Sequence, residues 1–157
     1  MFGIRVAFGA LLLCAALTAG AFARDMAVVL NKSNDAETMT LTELTKICKG
    51  QMSKWPDGRP VTFYTRDPAL PEMKILLEKV YGTSGSEVQA LITAANHGRA
   101  NHPAIIVVES DQAVVKRVES TPGAVGMVDV YSISGGVKVL KVGGKLPLEP
   151  GYVLHGN

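Results

Sequence analysis

The sequence predicts an α/β fold, a three-layer sandwich around a mostly parallel sheet, and three observations carry that expectation. Short β-branched or apolar runs of strand length recur at Met26–Leu30, Val61–Thr65, Pro103–Val108 and Ala124–Val128. Stretches with apolar residues at helical spacing separate them. Capping residues, glycines and prolines stand at the joints, so each run has a physical reason to end. Strands alternating with helices, with the strands apolar almost throughout, describe a sheet covered on both faces.

Each element follows in order. Met26–Leu30 is a continuous apolar strand. Thr40-Leu-Thr-Glu43 has the form of a capping box, in which a threonine oxygen and a glutamate satisfy free amides reciprocally. The helix it opens carries Leu41, Leu44, Ile47 and Cys48 on one face and stops at Gly50. Pro56-Asp-Gly58 is turn chemistry leading into the strand Val61–Thr65. Pro68–Tyr81 reads as a helix with Met73, Leu76, Leu77 and Val80 on its inner face and Gly82 as its stop. A further helix starts at Ser86 and ends at Gly98, and the buried strand Pro103–Val108 follows. Ser110–Ser120 is a helix with Ser110 as N-cap, and Ala124–Val128 is the next strand. Gly135-Gly136, between Ser132-Ile133 and Val137–Val142, reads as an edge hairpin adding one antiparallel strand.

The N-terminus has another character. Arg5 precedes an apolar run from Val6 to Ala19, and Ala21-Phe-Ala23 supplies the small residues of a cleavage site. Residues 1–23 therefore read as a signal peptide, and the run is short of the ~20 residues of a spanning helix. An uncleaved anchor is the competing reading. Cys14 follows Leu13, where a lipidation motif wants a small residue. Cleavage after Ala23 makes the chain exported, periplasmic or extracellular, with no membrane span in the mature part. Residues 24–157 have the length of one domain.

Composition excludes several classes. The 16 basic and 14 acidic residues are scattered, so nothing in the charge calls for nucleic acid. Beyond residue 23 only Cys48 remains, which leaves no intramolecular disulfide and a thiol at a core position. His97, His102 and His155 lack metal-ligand spacing, and no nucleophile stands in a catalytic motif. The expectation is a protein that is not an enzyme, with no catalytic residue, no metal and no cofactor. Asn31-Lys-Ser33 forms an N-x-S sequence, meaningful only in a glycosylating host.

Two stretches carry a family resemblance. Leu41–Gly50 with Trp55-Pro-Asp-Gly-Arg-Pro60, and Val114–Asp129 with its Thr121-Pro-Gly-Ala-Val-Gly126 turn, resemble in order and spacing the phosphate-binding receptors of ABC importers. The resemblance spans about residues 28–130 and implies one lobe of a type II periplasmic-binding-protein fold. It also implies a missing half, because a two-lobed receptor needs roughly twice this length. The family's early Gly/Ser/Thr-rich loop has no counterpart between Arg24 and Thr40.

The same resemblance implies the ligand loop. The family follows a strand with R-x-D-G-S-G-T opening a helix, whose amides and hydroxyls hold the anion. Here Arg66 stands in place, Asp67 comes one residue early, and Leu70, Pro71 and Glu72 replace the donors. At ~1.5–3 kcal/mol per donor to a charged ligand, three losses remove about 5–9 kcal/mol. The candidate ligand residues are Arg66, Asp67 and Ser110, the last as a helix-start hydroxyl. Arg66 reads alternatively as a surface arginine paired with Asp67 or Glu72. The expected ligand is phosphate or another small oxyanion, held with a second lobe, a homodimer partner or an envelope protein. The alternative function is an envelope protein–protein interaction domain that has lost the anion.

Overall fold

The computed structural model describes residues 24–156; the signal-peptide reading of residues 1–23 lies outside the described residues. Five strands form one sheet, in the spatial order Ile105–Val107, Thr62–Thr65, Ala124–Asp129, Met26–Asn31 and Val137–Val139. They are β1 Met26–Asn31, β3 Thr62–Thr65, β4 Ile105–Val107, β5 Ala124–Asp129 and β6 Val137–Val139. β3 pairs in parallel with β4 and β5, whereas β1 is antiparallel to both β5 and β6. Four of the five strands thus point the same way, and the one reversed strand lies inside the sheet. All six residues of β1 are buried, as a strand covered on both faces requires.

Helices cover both faces, which makes the three layers. On one face, α1 (Leu41–Cys48), the helical segment 71–81 and α3 (Gly85–Asn96) contribute Leu44, Ile47, Leu76, Val80, Val88 and Ile92. They pack on Val28, Leu30, Phe63, Ile105, Val125 and Met127. On the other face α4 (Asp111–Ser120) sets Val114, Val115 and Val118 against Val29, Tyr64, Val128 and Val137. Gly126 lets α4 come this close: a Cβ there would lie 2.4 Å from Val114 Cγ1.

Local chemistry fixes the boundaries. The capping box forms as read: Thr40 Oγ1 accepts from Glu43 N–H at 3.1 Å, and Thr40 N–H donates to Glu43 Oε2 at 2.8 Å. Cys48 is buried beside Met127, and burial pushes its thiol pKa up. Asn31 is also buried: its amide donates to the carbonyls of Val118 and Glu119 at the end of α4, so its nitrogen is engaged inside the fold.

Two expectations are corrected. The helix expected over Pro68–Tyr81 begins only at Pro71, because Asp67 Oδ1 accepts the Ala69 N–H and turns the chain first. The segment then passes from a 3-10 turn (Pro71–Met73) through one α turn (α2, Lys74–Leu76) to a π turn (Leu77–Tyr81). It stops at Gly82, as read, in the left-handed conformation. The hairpin at Gly135-Gly136 does not form. Asp129 Oδ1 accepts the Tyr131 N–H, winding Val130–Ser132 into a 3-10 turn, so Ser132-Ile133 is not a strand. The following run splits: β6 joins the main sheet beside β1, and β7 (Lys141–Val142) pairs in parallel with β2 (Thr38–Met39).

The two stretches that carry the resemblance meet in space. Trp55 Nε1–H donates to Gly123 O at 2.8 Å, and a Cβ on Gly123 would lie 2.3 Å from Pro60 O. Gly123 also needs its positive φ of 82°. This junction sits where β3 and β5 begin, so both motifs build the frame at that end of the sheet.

Candidate functional site

The opposite end of the sheet holds a cleft of about 1050 Å³. The ends of three strands shape it: Arg66 follows β3, Ser110 and Asp111 follow β4, and Asp129 closes β5. Arg24 and Asp25 precede the reversed strand β1 and so reach the same edge. Open α/β sheets present their ligand crevice outside the carboxyl ends of the strands.

Arg66 is the central cation. Its side chain is only 19% exposed, and its Nη1 lies 3.7 Å from Asp111 Oδ1, beyond ordinary hydrogen-bond length. Its Nε is buried and has no hydrogen-bond partner among the described residues. Asp111 is 16% exposed, and its other oxygen accepts from Asp129 N–H at 3.0 Å and Ser132 Oγ at 3.1 Å. Arg66 is therefore neither on the surface nor paired with Asp67 or Glu72; its charge partner is Asp111.

Ser110 caps α4, its Oγ accepting the Ala113 N–H at 3.0 Å. The hydroxyl proton remains to donate, and the amides of Asp111 and Gln112 have no acceptor within the helix. The positive end of the α4 dipole thus faces the cleft beside Arg66. Asp67 stands apart: it is exposed, outside the cleft lining, and bonded to Ala69 N–H. Glu72 lines the cleft, so the altered loop sets a negative charge at its wall.

Several other charges of the lining are paired. Arg24 Nη1 lies 3.3 Å from Asp129 Oδ2, and its guanidinium stands 5.7 Å over the Tyr131 ring. Lys74 pairs with Glu78 at 3.7 Å. The buried Asp25 carboxylate accepts from Leu148 N–H and pairs with His155 Nδ1. Tyr152 O–H donates to Met26 O, and burial raises its pKa. The chain's last turns are thereby strapped across the start of β1. Among the described residues no cluster of His, Cys, Asp and Glu has the arrangement of a metal site. Nor is any helix among them long and apolar enough to cross a membrane.

Sequence reading singled out Arg66 and Ser110, which the fold brings to one cleft, but missed the linkage through Asp111, Asp129 and Ser132. Asp111 was legible only as a helix-start residue; its contact with Arg66 crosses between strands and has no local signal.

This architecture is one lobe of a periplasmic-binding-protein-like fold, a mixed α/β layer arrangement with a mostly parallel sheet. It matches the crystal structure of an ABC-type phosphate transport receptor from Vibrio cholerae with a TM-score of 0.68 and 19% identity. The match covers 85% of this chain and 54% of the receptor. PstS from Borrelia burgdorferi matches with a TM-score of 0.66 and 17% identity, over 86% of this chain and 55% of that one. A putative phosphate ABC transporter substrate-binding protein with bound phosphate from Clostridium perfringens gives 0.62 and 17%, over 78% and 46%. The chain thus spans about half the length of these solved structures. No protein-family description matches the sequence, and no curated protein does.

Proposed function

We propose that this chain is an exported, non-enzymatic solute-binding domain whose cleft takes a small oxyanion, phosphate being the leading candidate. The observation that carries the reading is Arg66: a four-fifths-buried guanidinium with an unpartnered Nε, beside the N-terminus of α4. An anion in the cleft reaches this cation through the fifth of the side chain that stays exposed, where a charge-assisted hydrogen bond contributes ~1.5–3 kcal/mol. The Ser110 hydroxyl and the amides of Asp111 and Gln112 complete a donor set of the kind an oxyanion needs. Likeness in fold to phosphate receptors, one of them solved with bound phosphate, supports the same ligand class. On this reading residues 1–23 are removed after Ala23, residues 24–157 form one domain in the periplasm or outside the cell, and a partner supplies the opposing wall. Asp67 acts as a turn former, not a ligand.

A second reading has its own support. Asp111 already places a carboxylate near Arg66, and Glu72 adds another to the wall, so the site carries an internal anion. A domain that kept the fold and docked an envelope protein instead would look like this.

Thermal unfolding of the chain from Arg24, in phosphate, sulfate and chloride at matched ionic strength, separates the two. The solute-binding reading predicts a phosphate-selective rise of several degrees that Arg66→Ala abolishes; phosphate at 100 times its dissociation constant adds ~2.7 kcal/mol. Identical unfolding in all three salts would leave the docking reading.

A further inference from the structure

The exposed large apolar side chains among the described residues are Val107, Tyr131 and Leu148, 40%, 72% and 62% exposed, and all three stand at the cleft end of the sheet. Val107 pairs with Thr65, the residue before Arg66. Tyr131 lies in the turn that follows β5, under the Arg24 guanidinium. Leu148 donates its N–H to Asp25 Oδ2 at 2.6 Å, and Asp25 lines the cleft. Leu148 is also the positive-φ non-glycine residue of the described chain, at 71°. Its backbone serves Asp25, but a leucine side chain left in solvent in a conformation that disfavours side chains gains no burial within the monomer.

The charges on the same face carry both signs: Arg24 pairs with Asp129, Arg66 with Asp111 and Lys74 with Glu78, and Glu72 and Lys79 line the cleft beside them. A partner surface of one sign would set like charge against half of them. A surface carrying both signs fits, and a two-fold interface guarantees one, because each copy presents the same patch to the other. The cleft, at about 1050 Å³, is also far larger than a phosphate ion needs.

We propose that the cleft face closes on the same face of a second copy of this chain, with Tyr131 and Leu148 as apolar contacts on the rim and the anion cleft enclosed between the two. The proposal rests on reading the cleft as a ligand site and adds who supplies its missing wall.

The test is the mass of the chain from Arg24 in solution, by sedimentation over a range of concentrations, with and without inorganic phosphate. The comparison variant is Tyr131→Ser with Leu148→Asn; both side chains are exposed, and asparagine accepts positive φ. Expected are a dimer for the parent chain and a dissociation constant at least tenfold higher for the variant, whose unfolding temperature at low concentration is not below the parent's. A parent chain that stays monomeric at every concentration, with or without phosphate, overturns the proposal, as does a dimer indifferent to both substitutions. An Arg66→Ala chain that still dimerises but ignores phosphate supports both the interface and the anion role of Arg66, whereas a parent chain that dimerises yet ignores phosphate supports the interface and overturns only the ligand reading.

Discussion

Replacing Asp111 by asparagine asks whether the internal carboxylate competes with an external anion. Asparagine keeps an oxygen to accept from Asp129 N–H and Ser132 Oγ, so mainly the charge is lost. Opposite charges 3.7 Å apart interact by about 4 kcal/mol at an effective dielectric near 20. Desolvation of both groups offsets much of this. Exposed pairs contribute ~0–1 kcal/mol, and stranding one partner of a buried pair costs ~3–5. Arg66 and Asp111 are both more than four-fifths buried yet beyond hydrogen-bond length, which puts the cost of Asp111→Asn at about 1–3 kcal/mol. In a chain this size that lowers Tm by roughly 4–12 °C. Removing the carboxylate also removes repulsion next to Arg66, so phosphate should bind at least tenfold tighter and restore part of the lost stability. Differential scanning calorimetry in chloride and in phosphate, at matched ionic strength, reads both effects. Phosphate affinity equal to or weaker than that of the parent chain would refute the idea that Asp111 occupies the anion's place.

Other expectations test the frame. Gly126→Ala pushes a methyl into Val114 Cγ1 and Val118 Cγ2 at the α4–sheet contact and should cost about 1–3 kcal/mol in chemical denaturation. Trp55→Phe strands the Gly123 carbonyl at the far end of the sheet; it should cost ~1–3 kcal/mol while leaving any phosphate affinity within twofold by titration calorimetry. Alkaline unfolding should be steep. Burial raises the pKa values of Cys48, Tyr81 and Tyr152 above their ordinary 9.0 and 10.0, so the unfolded chain loses these protons first. Their stabilisation is complete below about pH 8.5 and declines above pH 9–10, each group contributing ~1.4 kcal/mol per pH unit once its unfolded form ionises. Tyr81→Phe should make the decline shallower in denaturation midpoints measured from pH 8 to 11.

The elements most legible in the sequence are those with a short-range cause. The capping box at Thr40–Glu43 and the cap at Ser110 involve residues a single turn apart, and both form as read. β1 and β5 were legible because a strand covered on both faces must be apolar throughout. The hairpin expectation failed because Gly135-Gly136 signals only that the chain can turn. Whether Ser132-Ile133 becomes a strand was decided by Asp129, whose side chain bonds the Tyr131 amide first. The reversed direction of β1 was illegible for a related reason: burial fixes its composition, whereas its direction depends on partners about a hundred residues away. The site shows the same division. Arg66 could be found after a strand, but its partner Asp111 arrives through the parallel β3–β4 pairing. The resemblance motifs mark the opposite end of the sheet, where Trp55 and Gly123 lock together, so they report the frame and say little about the ligand.

The most direct test of the central claim is a nitrogen-correlated NMR spectrum of the chain from Arg24 as inorganic phosphate is added against matched chloride. Phosphate held in the cleft gives a saturable shift of the Arg66 Nε–H signal together with the backbone amides of Asp111 and Gln112, while the Trp55 indole signal stays fixed. An Arg66 Nε–H signal that does not move, or that moves no more than the Trp55 indole, would contradict such binding.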